Sequence, residues 1–147
     1  MRQLVIPRHG PPEVMRLREV PDPEPGAGQV RIRVRAAGLN FADVMARQGL
    51  YPDAPPLPAV MGYEVAGEID RVGPGVSGRA AGERVIGLTR FGGHGELVVV
   101  PESRAVPLPD GWTFAGIGRA TAANSSWKSQ APLQVFSTDW SSTARLS

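Results

Sequence analysis

The run from Val30 to Ala36 constrains the fold more than any other part of the chain. Val30, Ile32, Val34 and Ala36 alternate with Arg31, Arg33 and Arg35. Successive side chains of a strand point to opposite faces, so this run presents one apolar face and one row of guanidiniums. It is expected to be an antiparallel strand with a core on one side and solvent on the other. The arginine row reads either as an anion site or as an ordinary solvated strand face, and the second reading is the simpler one.

Other segments repeat the theme more weakly. Leu4 to Pro7, Glu64 to Val72, Arg84 to Leu88, Glu96 to Val100 and Arg104 to Leu108 are short strand candidates, and Val14 to Val20 is an imperfectly alternating edge strand. Gly67 lies inside one of these runs, which suggests a bulge or the close approach of another backbone. The chain holds 18 Gly and 15 Pro, spread between apolar runs, so they act as turn punctuation rather than as a mark of disorder. One short helix is expected over Phe41 to Gln48, with Asn40 as its cap, Asp43 in its first turn and Gly49 as a left-handed stop. Short strands at regular spacing with one or two short helices predict a mainly β fold, a closed or partly open barrel.

Composition removes several function classes. There is no cysteine, so disulfides, thiolate metal sites and a cysteine nucleophile are excluded. Fifteen of the 16 basic residues are arginine, yet the net charge is only +2 and no basic patch with interleaved aromatics occurs, so no nucleic-acid partner is expected. The apolar run at the N-terminus is too short for a signal-peptide core, and no stretch approaches the length of about 20 residues that spans a bilayer. The expectation is a soluble, cytoplasmic protein.

A few residues could carry chemistry. Asn40 and Asp43 are three apart at a helix start and can face one side of it. Asn offers donors and an acceptor, and an ionised Asp offers acceptors only, so the pair could position a carbonyl or a carboxamide. The plainer alternative is that Asn40 caps the helix and Asp43 completes its first turn. Glu64 enters a strand and reads as a buried base or hydrogen-bond anchor, or else as an exposed strand residue. Tyr51 and Tyr63 flank a loop with four prolines, and each could donate to a carbonyl oxygen or simply fill a core. His9 and His94 have no partner at metal-ligand spacing and are expected to be surface or loop residues. No Gly-x-Gly-x-x-Gly phosphate loop follows a strand and opens a helix.

Taken in order, these segments resemble a family. Pro12-Glu13-Val14, Gly28-Gln29-Val30-Arg31-Ile32, Ala37-Gly38-Leu39-Asn40-Phe41-Ala42-Asp43 and Gly49-Leu50-Tyr51-Pro52 come first. Gly62-Tyr63-Glu64-Val65-Ala66-Gly67 and Ala81-Gly82-Glu83-Arg84-Val85 follow. The series is similar to the start of zinc-independent quinone oxidoreductases, in the branch of the medium-chain dehydrogenase/reductase superfamily that includes vesicle-amine-transport-like proteins. The resemblance implies a GroES-like catalytic domain over 1–118, normally followed by a Rossmann domain that binds NADPH. Asn40 and Tyr63 stand where zinc-dependent relatives carry a Cys and a His, so the resemblance implies no metal. It implies that Asn40, Phe41, Asp43 and Met45 line the nicotinamide end of the cleft. It places Asn40, Tyr51 and Tyr63 toward a small quinone or enone substrate, and it names no certain catalytic acid.

The resemblance ends near Phe114. Residues 119–147 hold seven Ser, two of the three Trp, the only Lys and no Gly. No helical or strand period runs through them, and they read as an atypical tail, disordered or derived from a frameshift. A hydride donor held by half a cleft loses most of its contacts, so the chain alone is expected to be weak or inactive. The apolar face of such a half-cleft would favour self-association or a homodimer. Two other readings stand beside this one: a GroES-like binding or assembly module, and a fragment without function.

Overall fold

The computed structural model describes residues 1–116 and 134–137. Eight strands and one α-helix make up its regular structure, all strand pairs being antiparallel. β1 (Arg2–Val5) and β2 (Arg16–Glu19) form a two-stranded ribbon. β3 (Gln29–Leu39), β4 (Glu64–Val72), β5 (Arg84–Leu88), β6 (Leu97–Pro101) and β7 (Ala105–Pro107) form the main sheet in the order β6-β3-β4-β5-β7. α1 (Phe41–Gln48) follows β3 directly, and β8 (Gln134–Ser137) pairs with the far half of β3. The sheet does not close on itself, so the fold is mainly β with an open rather than a closed barrel.

β3 is the centre of the sheet, and the alternation in its sequence explains its place. Val30, Ile32, Val34 and Ala36 are buried and pack with Val65, Ile69, Val85, Val98 and Val100, or with the smaller cluster around Ala66 and Leu108. Burying a Val or Ile side chain contributes about 1.5–3 kcal/mol, so this face carries much of the folding drive. The arginine face meets acids instead of water alone. Arg31 forms a two-pronged bond to Asp70, at 2.8 and 3.0 Å. Arg33 reaches the same carboxylate at 3.1 Å, and Arg35 reaches Glu68 at 3.0 Å. The neighbouring strand β4 thus neutralises the row.

Arg31 departs from the expected solvated face, being only 4% exposed. The proline loop before β3 folds over it, and Pro23 O and Glu24 accept from its guanidinium. Gly67 serves both expected purposes. The register of β3 against β4 shifts between Val34 and Ala36, opposite Gly67, and a Cβ there would overlap the carbonyl of Arg33.

The stretch 119–147 showed no strand period, yet four of its residues form β8. The remainder of that expectation lies outside the described residues. Among the described residues no helix is long and apolar enough to cross a membrane.

Candidate functional site

The corner where β3 passes into α1 gathers most of the polar candidates. Asn40 is the extended residue between the two elements, and Asn40 and Asp43 form a capping box at the helix start. Asp43 is buried, and both of its oxygens are used. Oδ2 accepts from the Asn40 backbone N–H at 2.7 Å, and Oδ1 accepts from the Gly62 N–H at 3.2 Å. Asp43 therefore pins the helix start to the turn that leads into β4. The other end of α1 is closed by Gly49 at φ 77°, the left-handed stop expected from the sequence. Arg47, also buried, donates to Gly10 O and fastens the helix to the N-terminal loop.

Glu64 begins β4 beneath this corner and is 6% exposed. Asn40 Nδ2 donates to its two oxygens at 3.2 and 3.3 Å. Burial pushes the Glu64 carboxyl above the ordinary carboxylate range, and the Asn40 amide partly offsets that shift. Glu64 is thus buried and hydrogen-bonded rather than exposed on the strand. Its room is made by Gly38, where a Cβ would overlap the Glu64 carboxylate.

Tyr51 and Tyr63 come together from the two sides of the proline loop. Their rings meet edge to face with centroids 6.5 Å apart, and Phe91 leans on Tyr63 at 5.6 Å. All three pack against Ile6, Ala46 and Met61. The Tyr63 hydroxyl is shut away from solvent and makes no hydrogen bond of good geometry, although the Tyr51 hydroxyl is near enough to act on its ionisation. Burial first, and then the neighbouring Tyr51 hydroxyl, raise its pKa well above the ordinary tyrosine value, so it stays neutral. A buried hydroxyl without a well-formed hydrogen bond is costly.

The remaining candidates separate. Phe41 points outward and is 68% exposed, while Met45 is half-buried on the same helix. His9 is exposed, as expected. His94 lies in the loop between β5 and β6, as expected, but turns inward. It is half-buried, its Nε2 lies 3.1 Å from Gly38 O, and its backbone N–H donates to Met61 O. The glycines around it, Gly92-Gly93-His94-Gly95, form a tight turn that carries the imidazole inward; that cluster was the available signal. Among the described residues no group of three His, Cys, Asp or Glu side chains converges as a metal site. Two surface clefts lie elsewhere, one by Met1, Glu19 and Glu96 and one by Phe91 and Arg104, and neither includes Asn40, Tyr51 or Tyr63.

Comparison with known proteins agrees with this architecture. Residues 26–110 match the alcohol dehydrogenase GroES-like domain. The rat synaptic vesicle membrane protein VAT-1 homolog is 48% identical over 116 residues, covering 78% of this chain and 29% of that protein. A quinone oxidoreductase of Pseudomonas aeruginosa is 44% identical over 114 residues, covering 77% of this chain and 35% of that protein. The crystal structure of Escherichia coli quinone oxidoreductase complexed with NADPH superposes with a TM-score of 0.72 at 32% identity, covering 78% of this chain and 35% of that one. The chain thus spans about a third of the length of these relatives.

Proposed function

This chain belongs to the alcohol dehydrogenase GroES-like domain family, among the quinone oxidoreductase and VAT-1 relatives of the medium-chain dehydrogenase/reductase superfamily, and on that premise we propose that it is the catalytic-domain portion of a zinc-free, NADPH-dependent reductase of quinones or activated alkenes. The observation that carries this reading is the buried, neutral Tyr63 hydroxyl, whose one hydroxyl neighbour is Tyr51 and which makes no hydrogen bond of good geometry; by the resemblance it stands where the metal-dependent pattern would need a ligand. Asn40 supports it from the other such position. Its amide is held by Glu64, an arrangement suited to hydrogen bonding.

NADPH fits this corner only at its nicotinamide end. The carboxamide and a substrate carbonyl are the groups that Asn40, Tyr51 and Tyr63 could meet, with exposed Phe41 and half-buried Met45 as apolar neighbours. The pyrophosphate finds no cradle here. The amino end of α1 is already filled by the capping box, and Asp43 puts a carboxylate where an anion would have to sit. When bound, the cofactor would supply the hydride. The protein's own residues orient the carbonyl and hold donors toward it. Tyr51 is the substrate-side hydroxyl, and no residue is assigned as catalytic acid. Alone, the chain is expected to turn over weakly or not at all. Exposed Phe41 and Leu50, at the two ends of α1, are the surface through which copies would associate, in a cytoplasmic setting.

The test joins residues 1–116 to the cofactor-binding part of the Pseudomonas aeruginosa relative and follows NADPH oxidation with a quinone in the presence of a chelator. Turnover is expected, with Asn40→Ala and Tyr51→Phe each lowering kcat/KM on the order of tenfold, the equivalent of about one hydrogen bond. A folded chimera that binds NADPH yet oxidises alcohols only when zinc is added would overturn the reading.

A further inference from the structure

β6 is the outermost strand at one side of the main sheet, with β3 as its neighbour on the other. The bonds at its two ends fix which way its main-chain groups face. Val34 donates to Glu96 O, and Glu102 donates to Gly28 O. In an antiparallel pair that arrangement repeats every second residue. Val98 and Val100, opposite Ile32 and Val30, therefore turn their N–H and C=O groups to β3. Leu97 and Val99 turn theirs away from the sheet, and among the described residues nothing bonds to them. Leu97 is nonetheless buried and Val99 half-buried, and main-chain groups kept from water need partners. An open edge of this kind is a template for another strand. The usual safeguards are few here. Leu97-Val98-Val99-Val100 carries no charge, and Pro101 blocks pairing only at its end.

A cleft follows this edge. All five residues of β6 line it, together with residues 88–92 and Arg104. Its volume is about 230 Å³, below the roughly 300–1,000 Å³ of small-molecule sites, so a groove along free main-chain groups suits an extended chain better than a compact ligand. Its charge is one-sided. Arg90 and Arg104 line it, both exposed and neither in an ion pair among the described residues, and no Asp or Glu lines it. They differ in this from Arg31, Arg33 and Arg35, each of which meets an acid. The Arg90 guanidinium stands 5.5 Å over the Phe91 ring, a contact that keeps it at the wall of the cleft.

We propose that the open edge of β6 is a docking site for an extended acidic peptide of another protein. The main-chain groups of Leu97 and Val99 pair with the peptide by strand addition, and its carboxylates meet Arg90 and Arg104. A second copy of this chain is the poorer occupant. Pairing two such edges would set both pairs of arginines against each other with no acid of either cleft between them. The inference goes beyond the oxidoreductase reading and stands if that reading fails.

The test is an NMR titration of the full chain with a capped pentapeptide that alternates glutamate and valine, with glutamate at both ends. Amide exchange is expected to slow several-fold at Leu97 and Val99, whose N–H groups gain partners, and to change less at Val98 and Val100, whose N–H groups already face β3. The matching lysine–valine peptide is expected to bind several-fold more weakly. Arg90→Ala with Arg104→Ala alters two exposed side chains, and is expected to weaken the glutamate peptide several-fold and to flatten its salt dependence. Equal binding of the two peptides, or unchanged exchange at Leu97 and Val99, would overturn the proposal. So would protection of these two amides that rises with protein concentration when no peptide is present, because a second copy would then hold the edge.

Discussion

Glu64 shows how one buried group sets the behaviour of the corner. Its folded pKa is raised by burial, so ionising it costs more in the folded chain than in the unfolded one. The stability it contributes is fully present below the ordinary carboxylate value of 4.5 and is lost as pH rises through the folded value. Glu64→Gln keeps an oxygen for the Asn40 amide and removes the titration. The variant is expected to gain stability relative to the parent as pH rises from below the ordinary carboxylate value of 4.5 through the raised value of the folded chain. Urea midpoints across that range check it, and a constant difference between the two chains would refute it. Tyr63→Phe is a second residue-level case. Removing a hydroxyl that makes no hydrogen bond of good geometry is expected to leave stability unchanged or raise it by up to about 1 kcal/mol, read as a higher Tm. His94→Ala should cost about 1 kcal/mol in the same assay, since the imidazole meets Gly38 O. That cost was not legible in the sequence, because a histidine's spacing from other ligands says nothing about whether a tight turn carries it inward.

The β3–β4 pair is the element on which the rest depends. Its apolar face was legible because a period of two can be met only by a strand with two unlike faces. The arginine face was legible as a row, but not in its pairing. Asp70 and Glu68 lie some 35 residues further along the chain, and only the pairing of β4 with β3 brings them within reach of the row. Burial of Arg31 was hidden for the same reason, since it needs the proline loop to fold back. These differences predict unequal effects along one row. Arg31→Ala leaves Asp70, itself 15% exposed, short of its two-pronged partner and is expected to cost roughly 3 kcal/mol. Arg35→Ala removes an exposed pair and should cost less than about 1 kcal/mol. Chemical denaturation of both variants would show the contrast, and equal losses would contradict it. The helix α1 was legible from its capping residues, because Asn40, Asp43 and Gly49 act within a single local segment.

At the scale of the molecule, the fold is an open β structure with its polar corner at one end of β3. The family was legible in the ordered series of short motifs, each of which marks a turn, cap or bulge the backbone needs. The tyrosine pair was named from sequence, yet its edge-to-face contact and the buried Tyr63 hydroxyl depend on how the proline loop packs against α1. Exposed Phe41 and Leu50 give this end of the molecule an apolar surface, and Phe41→Ser is expected to reduce any self-association measured by sedimentation. The central claim is that the chemistry of this chain resides at the Asn40 corner and the tyrosine pair beside it. The most direct measurement is an NMR titration of the full chain with reduced nicotinamide mononucleotide at millimolar concentrations. Shifts are expected to concentrate at Asn40, Phe41, Met45, Tyr51 and Tyr63. Shifts confined to the arginine face of β3, or none at all, would contradict it.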